Sequence, residues 1–194
     1  MTLAVSSDEL WMLSFYRVSE IGGALFFGRL ARTIKAGAVQ NDLTRHFADE
    51  ARHAALWTRC IEAVGGAAVA LENAYQDRYL AAAGIPANLM EVFALTQVFE
   101  QRVLRQYSHH RTMAGLHPAV GEALATIMED ETWHIAWIRR ALKDMEAEWG
   151  ADTIRATLRR FQAADQSIYD ALAAEHEDRL AYVAKRRLAA APPL

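Results

Sequence analysis

Two five-residue strings, Asp49-Glu50-Ala51-Arg52-His53 and Asp130-Glu131-Thr132-Trp133-His134, recur 81 residues apart. Each places a Glu and a His three residues apart, so on a helix both share one face. A lone glutamate precedes each string at a matching distance. Glu20 lies 30 residues before Glu50, and Glu100 lies 31 before Glu131. Both stand in apolar stretches, Glu20 before Ile21-Gly22-Gly23-Ala24-Leu25-Phe26-Phe27 and Glu100 after Val98-Phe99. The chain therefore reads as two diverged helical hairpins, each bringing one lone Glu and one Glu-x-x-His. With 14 glutamates and 7 histidines, composition alone gives about half of one Glu-x-x-His, so a single string says little. Two strings, both preceded by Asp and both matched by a Glu, say much more.

The rest of the sequence is built to supply long helices. Alanine, the best helix former, makes up about a fifth of it. Outside the tail pair Pro192-Pro193, only Pro86 and Pro118 interrupt it. Periodicity and stop signals predict five helices, at about 8–35, 41–64, 87–113, 118–149 and 152–188. Ser6, Ser7 or Asp8 caps the first; Gly65-Gly66 ends the second. Short joins make helices 1 and 2, and 3 and 4, antiparallel neighbours. About twenty residues separate helices 2 and 3, with a short helix expected near 77–83. The expected fold is all-α, one domain over 1–194, a four-helix bundle with a long helix 2–3 crossover and an added C-terminal helix. The helices are too long for a 34-residue repeat.

Composition removes several classes. The net charge is −3 and no basic tract suggests a nucleic-acid surface. The longest apolar run, 21–28, is too short to span a bilayer, and no signal-peptide pattern opens the chain. Cys60 is the only cysteine, which excludes an internal disulfide and a cysteine-held zinc or iron–sulfur site. A cytoplasmic location is the expectation, without membrane or nucleic-acid partners.

Packed face to face, the two halves would place Glu20, Glu50, His53, Glu100, Glu131 and His134 at mid-bundle. Four carboxylates offset the charge of two divalent ions, and two can bridge ions roughly 3.5–4 Å apart. Neutral imidazoles suit iron, though the donor types equally admit manganese or a mixed pair. Carboxylates often fix the tautomer of a ligating His, so Asp49 is expected to orient His134 and Asp130 to orient His53. Without a cation, four buried acids in one place would be costly.

The Asp-Glu-x-Arg-His form resembles the ferritin-like di-iron carboxylate superfamily. It is most similar to O2-activating members such as bacterial multicomponent monooxygenases, ribonucleotide reductase small subunits and arylamine N-oxygenases. The resemblance covers about residues 8–149. It implies Glu20 and Glu100 as terminal ligands, Glu50 and Glu131 as bridging ligands, and one imidazole per iron from His53 and His134. Trp133 departs from the pattern where Arg is often found. Gln97 stands where rubrerythrin-like sites often carry a further Glu, which disfavours a peroxidase of that type.

Other residues lie near the expected site. Arg52 belongs to the first string. His46, one turn before Glu50, is a candidate for supporting the site or binding metal directly. Tyr16 and Tyr107 share faces with Glu20 and Glu100 and are expected in the core or as one-electron relays. Trp57 and Trp137 follow the two histidines and are expected to pack in the core. His109, His110 and His117 are expected at the solvent-exposed helix 3–4 turn. Gly22, Gly23 and Gly28 would open a cavity, allow close helix packing, or favour a π-bulge. Helix 5 carries Ile154, Leu158, Phe161, Ile168, Leu172, Leu180 and Val183 at helical spacing, for packing on the bundle or a homodimer contact. Lys185-Arg186-Arg187 reads as a solvated terminus.

The implied activity is oxidation of a small organic substrate by O2 at two iron ions, with electrons from a separate donor. The alternatives are a ferroxidase or iron-handling protein, a rubrerythrin-like peroxidase, and a bundle that keeps metal only for stability.

Overall fold

Ser6 starts the first helix. Its hydroxyl accepts the Glu9 N–H at 3.1 Å, and α1 runs Ser7–Thr33 as unbroken α-helix, without a π-bulge. A computed structural model describes residues 5–71, 78–79, 82–176 and 179. The second helix, α2 (Ala38–Ala63), begins three residues earlier than the sequence suggests. Gln40 explains this: its amide donates to the carbonyls of Ala31 (3.0 Å) and Ile34 (3.3 Å), stapling the first turn of α2 to the end of α1.

Helix α3 (Leu89–Arg111) opens with a reciprocal cap. Asn88 accepts the Glu91 N–H at 2.9 Å while the Glu91 carboxylate accepts the Ala87 N–H at 2.9 Å. Helix α4 (Pro118–Asp144) has Pro118 in its first turn and His117 as its cap, whose Nδ1 accepts the Ala119 N–H at 3.2 Å. The fourth expected helix is broken at Met145. A single turn, α5 (Glu146–Trp149), follows, and Met145 and Trp149 both pack on the apolar cluster around Phe93 and Ile154. Gly150 takes φ 76° and lets the chain reverse into α6 (Ala151–Glu175).

The fold is all-α: four long helices packed closely, with α5 and α6 added at the C-terminal side, and no strand among the described residues. Helices α1 and α2 pair along their lengths, as do α3 and α4; α2 meets α4, and α6 lies on α3. Ile154, Phe161, Ile168 and Leu172 of α6 are buried, and Leu158 is half-buried. Within that stripe sits a buried Asp165. It accepts two guanidinium hydrogen bonds from Arg102 of α3, one at 2.7 Å and another shorter, and one from Tyr79 at 2.7 Å. Of the turn expected at 77–83, residues 78–79 and 82–83 are helical and the others lie outside the described residues, as do Leu180, Val183 and 185–187. No described helix is long and apolar enough to cross a membrane.

Two apolar clusters occupy the ends of the bundle. One gathers Phe27, Leu43, Phe93, Trp137 and Phe161; the other gathers Met12, Leu13, Trp57, Ile61, Leu124 and Ile127. Between them lies a belt of buried charged and polar side chains.

Candidate metal centre

That belt is where the six sequence-predicted residues meet. Glu20 (α1), Glu50 and His53 (α2), Glu100 (α3), Glu131 and His134 (α4) are each at most 5% exposed. They form two clusters that share Glu50: Glu20, Glu50, His53 and Glu131 in one, His46, Glu50, Glu100 and His134 in the other. Within each cluster the donor atoms lie within 4.8 Å of one another. Glu131 turns Oε1 towards His53 Nδ1 (3.4 Å) and Oε2 towards His134 Nδ1 (3.1 Å), so it spans the pair.

Both helix-borne histidines present Nδ1 inward and Nε2 outward. His53 Nε2 donates to Asp130 Oδ2 at 3.1 Å, and His134 Nε2 lies 3.4 Å from Asp49 Oδ2. Each imidazole thus faces the Asp of the opposite hairpin. Arg52 ties the two acids together, donating to Asp49 at 2.9 Å and to Asp130 at 2.7 Å. Trp133, in Arg52's place in the second string, carries Arg45 over its ring, 3.8 Å from the centroid.

The remaining predicted neighbours divide. Tyr107 donates a short hydrogen bond to Glu20 Oε1, and Trp57 donates to the Tyr107 hydroxyl at 3.3 Å. Tyr16 does not touch the six residues through a hydrogen bond; its hydroxyl meets His110 Nδ1 at 3.2 Å. His110 is 1% exposed, contrary to the solvent-exposed position its turn suggested, because it lies on the same face of α3 as Glu100 and Tyr107. His109 is exposed, and His117 is half-buried as a cap. Gln97 is buried with neither amide atom hydrogen-bonded, one turn before Glu100 on α3. Burial, reinforced by Glu9, pushes the Cys60 thiol up to about 12, which leaves it unreactive.

Electrostatics show a cluster short of positive charge. Burial, and then the neighbouring glutamates, push Glu50 and Glu100 well above the usual carboxylate range. Burial opposes a charge on Glu131 too, but His134 and His53 outweigh it and hold this carboxyl well below that range. For His53, burial disfavours the proton, yet the carboxylates of Glu131 and Glu20, each 3.4 Å from Nδ1, win and lift it to about 10. Protons stand where cations would. The donors fit a pair of divalent ions: hard carboxylates, two imidazoles, and at His53 Nδ1 a buried nitrogen with no hydrogen-bond partner.

Sequence reading left the glycines open between a cavity and close packing; the structure uses both. A cavity of about 210 Å³ lies between α1 and α3 and reaches Glu20, Glu50, Glu100 and Glu131. Among the described residues, Gly22 and Gly23 line it, with Phe26, Phe27, Leu95, Phe99 and Val103, and no Lys or Arg. Gly28 instead lets α1 approach the Phe47 ring, which a Cβ would meet at 3.2 Å. A Cβ on Gly23 would fall 2.2 Å from Glu50 Oε2, so only glycine leaves this carboxylate its place. Gly23→Ala is expected to keep the helical circular-dichroism spectrum and to weaken binding of divalent metal by about tenfold, the lower end of what displacing a metal-site neighbour costs. Calorimetric titration with Mn²⁺ checks it.

No protein-family model, curated protein or solved structure matches the chain.

Proposed function

We propose that the protein is an O2-dependent oxidoreductase of the ferritin-like di-iron type. Two metal ions, iron most simply, would be held by Glu20, Glu50, His53, Glu100, Glu131 and His134, and a small organic molecule would be oxidised beside them. Manganese or a mixed pair satisfies the same donors. The observation that carries this reading is the coincidence of the two. The cavity between α1 and α3 ends on the same four glutamates that form the clusters. A bundle that held metal only for stability has no need of that space.

Two ferrous ions bound there would supply a place for O2 and electrons to reduce it. The protein's own residues do the rest. Glu50, common to both clusters, and Glu131, which reaches both His53 and His134, would serve both ions, while Glu20 and Glu100 belong to one cluster each. Asp130 accepts from the outer nitrogen of His53, and Asp49 faces that of His134 at 3.4 Å, so the inner nitrogens of both would be turned to the ions. The apolar clusters above and below keep water out. The cavity is smaller than the roughly 300–1,000 Å³ typical of drug-sized ligands. The described residues of its aromatic and aliphatic walls include no Lys or Arg, which favours a small, uncharged and largely apolar substrate. Phe26, 40% exposed yet part of the cavity wall, stands at the entrance. Reducing equivalents come from a separate donor.

Anaerobic titration of the metal-free protein with Fe(II), followed by O2, tests this. The expected result is two irons per chain, O2 uptake that stops after those irons are oxidised, and renewed uptake only with a reductant. Uptake of many irons with mineral formation would identify an iron-handling protein instead. No iron binding at neutral pH would overturn the site.

A further inference from the structure

Three histidines border the glutamates, and two of them differ from the third in what holds their outer nitrogen. His53 Nε2 and His134 Nε2 face carboxylates, which only accept. In the neutral ring the proton therefore sits on the outer nitrogen, and the inner one can offer a lone pair to a metal ion. The outer nitrogen of His46 is Nδ1, and it faces Trp137 Nε1 at 3.3 Å. An indole N–H can only donate. So His46 Nδ1 must accept, and the ring's proton sits on the inner nitrogen, Nε2. That atom lies 3.1 Å from both Glu50 Oε1 and Glu100 Oε1. The ring cannot readily turn over. Phe27 stacks on one face with centroids 3.8 Å apart, His134 on the other at 3.6 Å.

The opposite end of the belt shows the same construction from different parts. There Trp57 donates to Tyr107, and Tyr107 donates to Glu20. Tyr107 lies seven residues after Glu100. The matching place in the first half, seven after Glu20, is Phe27, which has no hydroxyl to give. Phe27 stacks on His46 instead.

We infer that His46 is a positioning residue and not a third nitrogen ligand: fixed by Trp137 as an Nε2–H donor, it holds Glu100 and Glu50 as Tyr107 holds Glu20. Glu20 and Glu50 thus each receive a hydrogen bond from a group that an indole itself orients, with Glu100 Oε1 3.1 Å from the same His46 Nε2. The consequence is one imidazole per ion, leaving equal room at both. The inference rests on the dinuclear reading for its role, but the tautomer is a property of the metal-free chain.

Long-range ¹H–¹⁵N spectra of histidine-labelled protein, before and after Zn²⁺, test it. Without metal, His46 should show an unprotonated Nδ1 and a protonated Nε2. With Zn²⁺, His53 and His134 should shift at Nδ1 while His46 keeps its Nε2 proton. A metal-free His46 protonated on Nδ1, or a zinc-bound Nε2, would overturn the inference. If no imidazole shifts with Zn²⁺, the dinuclear reading fails, while the metal-free spectrum still decides the tautomer. His46→Gln keeps a donor and should leave the second Zn²⁺ within about threefold of its wild-type affinity, whereas His46→Phe should weaken it about tenfold or more. Equal losses in both variants would mark a ligand. Should His46→Phe not fold, the Gln variant and the wild-type spectra decide.

Discussion

Glu50→Gln is expected to abolish stoichiometric binding of both metal ions at once. Glu50 is the one residue common to the two clusters, so its loss removes a donor from each. The fall in affinity should exceed the 10–100-fold that losing an outer partner of a metal ligand costs. The same substitution should stabilise the metal-free fold. Glu50 is buried against Glu20, Glu100 and Glu131, all of which disfavour its charge. Glutamine keeps the shape and still accepts from His46, without adding a fourth acid. Each kcal/mol relieved raises the melting temperature of a chain this size by roughly 2–4 °C. The expected pair of results at pH 8 is a higher Tm without metal and no Tm response to Mn²⁺. Two retained equivalents of Mn²⁺, or a lower metal-free Tm, would contradict the placement of Glu50. A residue that costs stability when the site is empty is the behaviour of a group kept for what it binds.

The six residues of the clusters were legible because their chemistry is written in spacing. A Glu and a His three positions apart, and matched distances between halves, survive whatever the exact helix ends are. The ends were less legible, since they depend on side chains reaching back. Gln40 moves the start of α2 forward, and the Asn88–Glu91 pair moves the start of α3 back. The break at Met145 left no Gly or Pro to announce it. Two buried polar residues did leave a trace. Asp165 falls in the apolar stripe Phe161, Asp165, Ile168, Leu172, and His110 continues the face of Glu100 and Tyr107; either place demands a partner. What spacing cannot carry is the direction of a hydrogen bond between helices. That Trp57 and Trp137 donate to Tyr107 and His46 depends on how four helices pack. So does the need for Gly23, whose missing Cβ makes room for a carboxylate on another helix.

Without metal, the protein should lose stability as pH rises above about 6.5. His53 has an ordinary value of 6.5 and is lifted to about 10 in the fold. Between those values the folded chain holds a proton that the unfolded chain has released. The stabilisation is therefore complete below 6.5 and is lost as pH rises through 10. At 1.36 kcal/mol per unit, this is on the order of 5 kcal/mol. Glu50 and Glu100 add to the same slope from 4.5 upward, because burial and neighbouring acids raise them. Glu131 and Asp49 oppose it on the acid side. Burial works against their charges, but His134 outweighs it for both, helped at Asp49 by Arg52, which brings Asp49 down to about 2. Their contribution is present above 4.5 and 3.8 and is lost as pH falls. For these groups the metal-free optimum therefore lies near 4.5, with the steepest alkaline loss above 6.5. A divalent ion reverses the alkaline limb. It needs the bare Nδ1 of His53 and ionised carboxylates, so its binding releases protons and strengthens as pH rises. Free metal at 100 times its Kd adds about 2.7 kcal/mol. Melting curves at several pH values, with chelator and with Zn²⁺, should therefore diverge with rising pH. Parallel curves would mean that the protons on this cluster and the metal do not compete for the same atoms.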